Sequence, residues 1–152
     1  MNDRIADDLE SAVDAAVAEL GPLSEPVVSH RPTPDRWTIK EVIGHLIDSA
    51  SNNHQRFVRA QFVKEFTFPM YEQNQWVQCQ FYNEVPWADL LTLWRAYNHH
   101  LAHVMRKTPA DALGVRCIIG TYEPMTLGFL MEDYVVHLKH HLEKIRERIA
   151  SR

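Results

Sequence analysis

Thr38-Ile39-Lys40-Glu41-Val42-Ile43-Gly44-His45-Leu46-Ile47-Asp48-Ser49 decides how the chain is read. Its first four residues form a capping box: the Thr38 hydroxyl can accept from the Glu41 backbone N–H while the Glu41 carboxylate accepts from the backbone N–H of Thr38. The helix this opens is expected to reach about Lys64, with Ile39, Val42, Leu46, Ala50 and Phe57 on its apolar face. With Leu46 at 0° on a helical wheel, His45 falls at about −100°, in line with Thr38, Ser49, Asn52 and Arg56 at roughly −60° to −120°. A polar seam thus flanks the apolar stripe, suited to line a cleft between helices.

Three further stretches carry a helical period, and none carries a sustained period of two. Upstream, Asp3 to Leu20 puts Ile5, Leu9, Ala12, Val13, Ala16 and Leu20 on one face before Gly21-Pro22 stops it. Downstream, Trp87 to Lys107 turns Leu90, Leu91, Trp94, Tyr97, Leu101 and Met105 inward. Thr108-Pro109 reads as a cap and first turn, residues 114–125 as irregular or briefly extended, and Thr126 as the cap of a last helix, Leu127 to about Ile149. The aromatic-rich connection 66–86 is too long to be structureless and is expected to hold a short helix around Gln73–Gln80. Four amphipathic helices make an all-α four-helix bundle. The long connections after the second and third helices allow a crossover.

The 152 residues are 45% hydrophobic and 24% charged, which suits one globular domain spanning 1–152. A net charge of −4 argues against a nucleic-acid coat. Two distant cysteines, Cys79 and Cys117, make neither a disulfide framework nor a Cys-rich zinc site. No apolar run suits a membrane span, and the acidic start is no secretory signal, so a soluble cytoplasmic protein is expected. No Gly-rich phosphate loop and no Ser-His-Asp order is present.

Nine histidines are many for such a chain. On the last helix, with Tyr134 at 0°, His141 lies at about −20° and His137 at about −60°, a pair four residues apart at the core edge whose imidazoles can converge on a metal. His140, at about −120°, lies beyond the stripe. Leu138 follows His137 where the zinc-protease motif needs Glu. On the third helix His99, His100 and His103 fall on the solvent side. Spacing alone does not place His45 opposite His137, and such a pair is more often surface decoration or core packing than a site.

Arg36-Trp37-Thr38-Ile39-Lys40-Glu41-Val42-Ile43-Gly44-His45-Leu46-Ile47-Asp48-Ser49, with Asn52 and Arg56-Phe57 behind it, resembles the second-helix signature of the DinB/YfiT-like superfamily. His137-Leu138-Lys139-His140-His141-Leu142-Glu143-Lys144-Ile145 resembles its last-helix signature. Tyr71-Glu72-Gln73-Asn74-Gln75-Trp76-Val77 and Tyr82-Asn83-Glu84-Val85-Pro86-Trp87 fit as well, so the likeness spans residues 30–149. The resemblance implies a four-helix bundle with a crossover, often a homodimer, and a divalent metal held by His45, His137 and His141. Members similar to this chain include thiol-dependent S-transferases, a mycothiol-dependent isomerase and many proteins that carry metal-dependent hydrolase only as a label. A small-molecule substrate, a zinc or nickel ion and a low-molecular-weight thiol are the implied partners, with no membrane or nucleic acid.

Three neutral imidazoles leave a position open on such an ion, and metal-bound water or a bound thiol there would lose its proton near neutral pH. Arg56 could clamp a substrate carboxylate or thiol cofactor, or close a salt bridge at the bundle end. Asn52 could orient water or bond between helices. Asp48 and Asp133 are candidate acceptors for imidazole N–H groups, with a solvated helix charge the favoured reading of Asp133. Glu72 and Glu84 stay unplaced. A non-catalytic metal-binding or sensing bundle, or a plain dimerisation bundle, would need fewer of these roles.

Overall fold

A computed structural model describes residues 1–152. In chain order its helices are α1 (Asn2–Leu20), the one-turn α2 (Glu25–Val28), α3 (Ile39–Arg59), α4 (Gln73–Gln80), α5 (Trp87–Lys107) and α6 (Leu127–Ala150). The capping box of α3 is formed: Glu41 N donates to Thr38 Oγ1 at 3.1 Å, and Thr38 N to the Glu41 carboxylate at 2.9 Å. Thr126 caps α6 by accepting from Phe129 N. The apolar stripes expected on α3, α5 and α6 are buried, apart from a half-exposed Tyr97, and Trp94, Phe57, Leu46 and Leu101 sit at the centre.

α1 packs against α5 and α6, and α3 packs against the same two helices. α1 and α3 therefore stand at opposite corners, as do α5 and α6. The crossovers run from α1 to α3 and from α5 to α6. The α3–α5 connection, although long, joins neighbours, because its residues fold into α4 and a strand instead of crossing the bundle. Ion pairs strap α1 to its neighbours: Asp14 with Arg95 at 2.8 Å, Glu10 with Arg106 at 2.6 Å and Glu19 with Arg146 at 3.0 Å.

α3 ends at Arg59, five residues before the expected Lys64. The chain passes through a 3₁₀ turn, Ala60–Phe62, into strand β1 (Glu65–Phe68). β1 pairs in parallel with β2 (Arg116–Ile119), and β2 pairs antiparallel with β3 (Met125–Thr126). This three-stranded sheet ties the two long connections together, with buried Phe66 opposite buried Cys117. Lys40, also buried, anchors the entry of α3 by donating to Val85 O at 2.7 Å and pairing with Glu25 of α2. No helix is long and apolar enough to cross a membrane.

Candidate metal centre

α3 and α6 pack side by side, and their facing histidines meet. His45 Nε2 lies 3.5 Å from His137 Nε2, and His141 Nε2 lies 3.2 Å from the same atom. One ligand atom from each of the three rings falls within 4.8 Å of the other two. The rings stand edge to face, at 66° to 74° to one another, so the nitrogens converge instead of the faces stacking. Zinc–nitrogen bonds of roughly 2.0–2.1 Å in tetrahedral geometry separate neighbouring nitrogens by about 3.4 Å. The two spacings bracket that value and the third pair lies within 4.8 Å, so the three imidazoles could hold one divalent ion.

Electrostatics favour the same chemistry. Burial, then the neighbouring imidazoles, push His45 down to about 3. Burial, then His137 and His140, bring His141 to about 4. Burial lowers His137 too, with the Asp133 carboxylate pulling the other way. At neutral pH all three are neutral with lone pairs available, the form a metal requires. Trp37 packs its ring 4.9 Å from that of His45 and closes one side.

A cavity of about 610 Å³ opens beside His45 and His137. Arg56 and Ser49 from the predicted seam line it, and Asp133 and Glu72 do so too. Asn52 does not, and Asn53 occupies the cavity wall; the Nδ2 of each donates to the carbonyl four residues earlier in α3. Asn53 lies at about −20° on the wheel that puts Leu46 at 0°. A polar residue inside the apolar stripe was the signal for it. Tyr71 and Tyr122 complete the wall, Tyr122 from the 120–124 turn, which offers no periodic cue. A smaller cleft of about 290 Å³, bordered by Arg36, Lys144 and Arg148, reaches His141 from the other side.

Asp48 takes a different role from the one expected. Its Oδ1 accepts from Tyr82 Oη at 2.6 Å and from Gln80 Nε2 at 2.8 Å, so it pins the α4 connection and not an imidazole. His45 Nδ1 stays buried without a partner. Glu84 lies in a separate cleft beside Phe81 and Arg31. His99 is not purely solvent-facing: its Nε2 meets the Asp14 carboxylate of α1 at 2.8 Å. His100 lies edge-on to His54, and His103 is exposed.

The sequence profile of the DinB superfamily matches residues 8–145. The chain belongs to the DinB superfamily. Among solved structures it is similar to YfiT from Bacillus subtilis, described as a probable metal-dependent hydrolase with an unusual four-helix bundle topology. The TM-score is 0.86 at 20% identity, over 96% of this chain and 84% of that one. At that identity the likeness establishes the shared bundle. No curated protein matches the chain. Within the DinB fold, the triad sits where α3 and α6 pack, beside the cavity of about 610 Å³.

Proposed function

We propose that this DinB-superfamily chain is a metal-dependent enzyme acting on a small molecule, with His45, His137 and His141 as the ligands of one zinc or nickel ion. The observation that carries the reading is the convergence of three neutral imidazole nitrogens, 3.2 and 3.5 Å apart, at the head of an open cavity. Bound there, a divalent ion supplies Lewis acidity, which makes water or a thiol a nucleophile near neutral pH. The reaction class is therefore hydrolysis or thiol S-transfer, and the shape of the cavity selects between them.

The protein's own residues do the rest. The hydrophobic packing of α3 and α6 holds the rings in place before any ion arrives. Trp37 and the surrounding core exclude bulk water from His45, which is 1% exposed. Asp133, four residues before His137 on α6, is exposed in the cavity wall. Ser49 and Tyr71 offer hydroxyls, and Asn53 its amide oxygen, along which a polar substrate can align. The unit is taken to be one domain, 1–152, working in the cytoplasm as a homodimer. Exposed Phe129 and Val136, two turns apart on α6, offer apolar surface for a second copy.

Chelated protein reloaded with zinc or nickel and desalted is expected to retain about one ion per chain by elemental analysis, against roughly 100-fold weaker retention in His137→Ala. Turnover is sought with low-molecular-weight thiols plus electrophiles, and with simple esters and amides. Activity lost in His137→Ala supports the reading. Folded wild-type protein that takes up no metal, or turnover indifferent to His137→Ala, overturns it. Metal uptake with no turnover in either screen indicates a metal-binding or sensing bundle instead.

A further inference from the structure

The cavity has a second pole. Arg56 follows His45 by eleven residues on α3, three turns along the same face, so their Cα atoms lie about 16 Å apart along the helix axis. An arginine on a helix leans back toward the N-terminus, and Arg56 lines the same cavity as His45 and His137. Its guanidinium stacks 5.4 Å from the Phe68 ring centroid, on the small sheet that closes this end. Arg56 Nε is buried and has no hydrogen-bond partner.

The arginines that hold helices together are different. Arg31, Arg95, Arg106 and Arg146 each have a carboxylate oxygen at 2.6 to 3.0 Å. No carboxylate pairs with Arg56, although Glu72 and Asp133 line the same cavity, and the groups that act on its charge are the Tyr71 and Tyr122 hydroxyls and the Cys117 thiol. A planar fork of N–H donors, half-buried, backed by an aromatic face and lacking a protein acceptor, is built for a planar anion from outside. Tyr71, pushed up to about 12 by burial, keeps its hydroxyl proton at neutral pH and can add a bond.

We infer that Arg56 is the carboxylate anchor of this site, so the small molecule that reacts at the histidine triad carries a carboxylate at its far end, two to three helical turns from the reacting atom. The inference rests on the metal-site reading above for the reacting pole only. The carboxylate can belong to the thiol or to its partner substrate, and the same fork serves either.

The anchor is tested first without metal. ¹⁵N-labelled, metal-free protein is titrated with octanoate and read at the Arg56 Nε–H resonance, assigned by its loss in Arg56→Lys. A saturable shift with octanoate, absent with 1-octanol, is expected. Equal shifts from 1-octanol, a larger response to inorganic phosphate, or no shift overturns the anchor. The zinc-loaded protein is then titrated with 3-mercaptopropionate, 8-mercaptooctanoate and 8-mercapto-1-octanol. The long mercaptocarboxylate is expected to bind about tenfold tighter than either of the others, an advantage lost in Arg56→Gln and partly kept in Arg56→Lys. Affinity independent of chain length, or unchanged in Arg56→Gln, overturns the two-pole substrate. Octanoate without a thiol, binding the zinc protein as tightly as 8-mercaptooctanoate, assigns the carboxylate to the non-thiol substrate. Failure to load zinc leaves the metal-free titration intact, so a failed metal site and a failed anchor give different results.

Discussion

The three clustered histidines make stability, and the affinity of the proposed metal site, depend on pH in a definite direction. Each is ordinarily half-protonated near 6.5, and the fold holds His45 at about 3 and His141 at about 4. Between those limits the unfolded chain binds more protons than the folded one, so the histidines contribute their full share of stability above pH 6.5 and lose it as pH falls toward 4. Asp48 acts in the opposite sense: burial raises its carboxyl, so its contribution is fullest in acid and declines as pH rises through the raised value. It titrates from a lower starting point, which leaves the histidines in control of the upper part of the window. Metal-free protein is expected to lose roughly 2–3 kcal/mol of unfolding free energy from His45 between pH 7 and pH 4.5. Urea melts across that range check this. His45→Asn, which removes the titrating ring, should flatten the profile, and an unchanged slope in that variant would show that His45 is not held neutral by the fold.

Among the elements, α3 carries the most information, and most of it was legible. The Thr38–Glu41 box, the apolar stripe and the histidine seam are local patterns, and local patterns survive into structure because their partners lie within a turn or two. The sheet was not legible. Its strands are two to four residues long, and Phe66-x-Phe68 shows only one alternation, too short to register as a period. β1 finds its partner β2 at a register offset of 51 residues, as in Glu65 opposite Arg116, a non-local pairing that begins six residues after α3 ends at Arg59. Asn52 and Asn53 divide at the site although both donate back to the carbonyl four residues earlier: Asn53, at about −20° on the wheel, lines the cavity, and Asn52, at about −120°, does not. Gly44 is a tighter constraint than its place in the helix suggests. A Cβ there would lie 2.1 Å from Tyr82 Cδ2, and Tyr82 carries the hydrogen bond that fixes Asp48. Gly44→Ala should gain helix propensity yet destabilise by about 2–3 kcal/mol, because the ring must leave its slot and abandon Asp48. In a Tyr82→Ala background the same substitution should cost less than about 1 kcal/mol, since the clash is gone. Equal costs in both backgrounds by urea denaturation would place the strain elsewhere.

For the molecule as a whole, the corner arrangement would give the proposed metal site a mechanical role. α5 is wedged between α1 and α3, whereas α3 and α6 flank an open cavity and share less surface. The three imidazoles close that open side, joining residues 92 apart in the chain, His45 and His137. The two histidines of α6 were visible as a local pair; their meeting with α3 depends on the crossover from α5 to α6, which no local pattern encodes. An ion that binds only the assembled triad stabilises the fold by about 2.7 kcal/mol when free metal is 100 times the dissociation constant. The gain should not be uniform. Amides of α3 near His45 and of α6 near His137 open by separation of those two helices, so zinc should slow their hydrogen exchange most. Amides at the α1–α5 contact exchange through openings that leave the triad intact, so they should change little below the global limit. Exchange measured by mass spectrometry with and without a chelator decides the matter. Protection confined to α6 would mean that His137 and His141 hold the ion without His45, and the bridge between helices would be lost as an explanation.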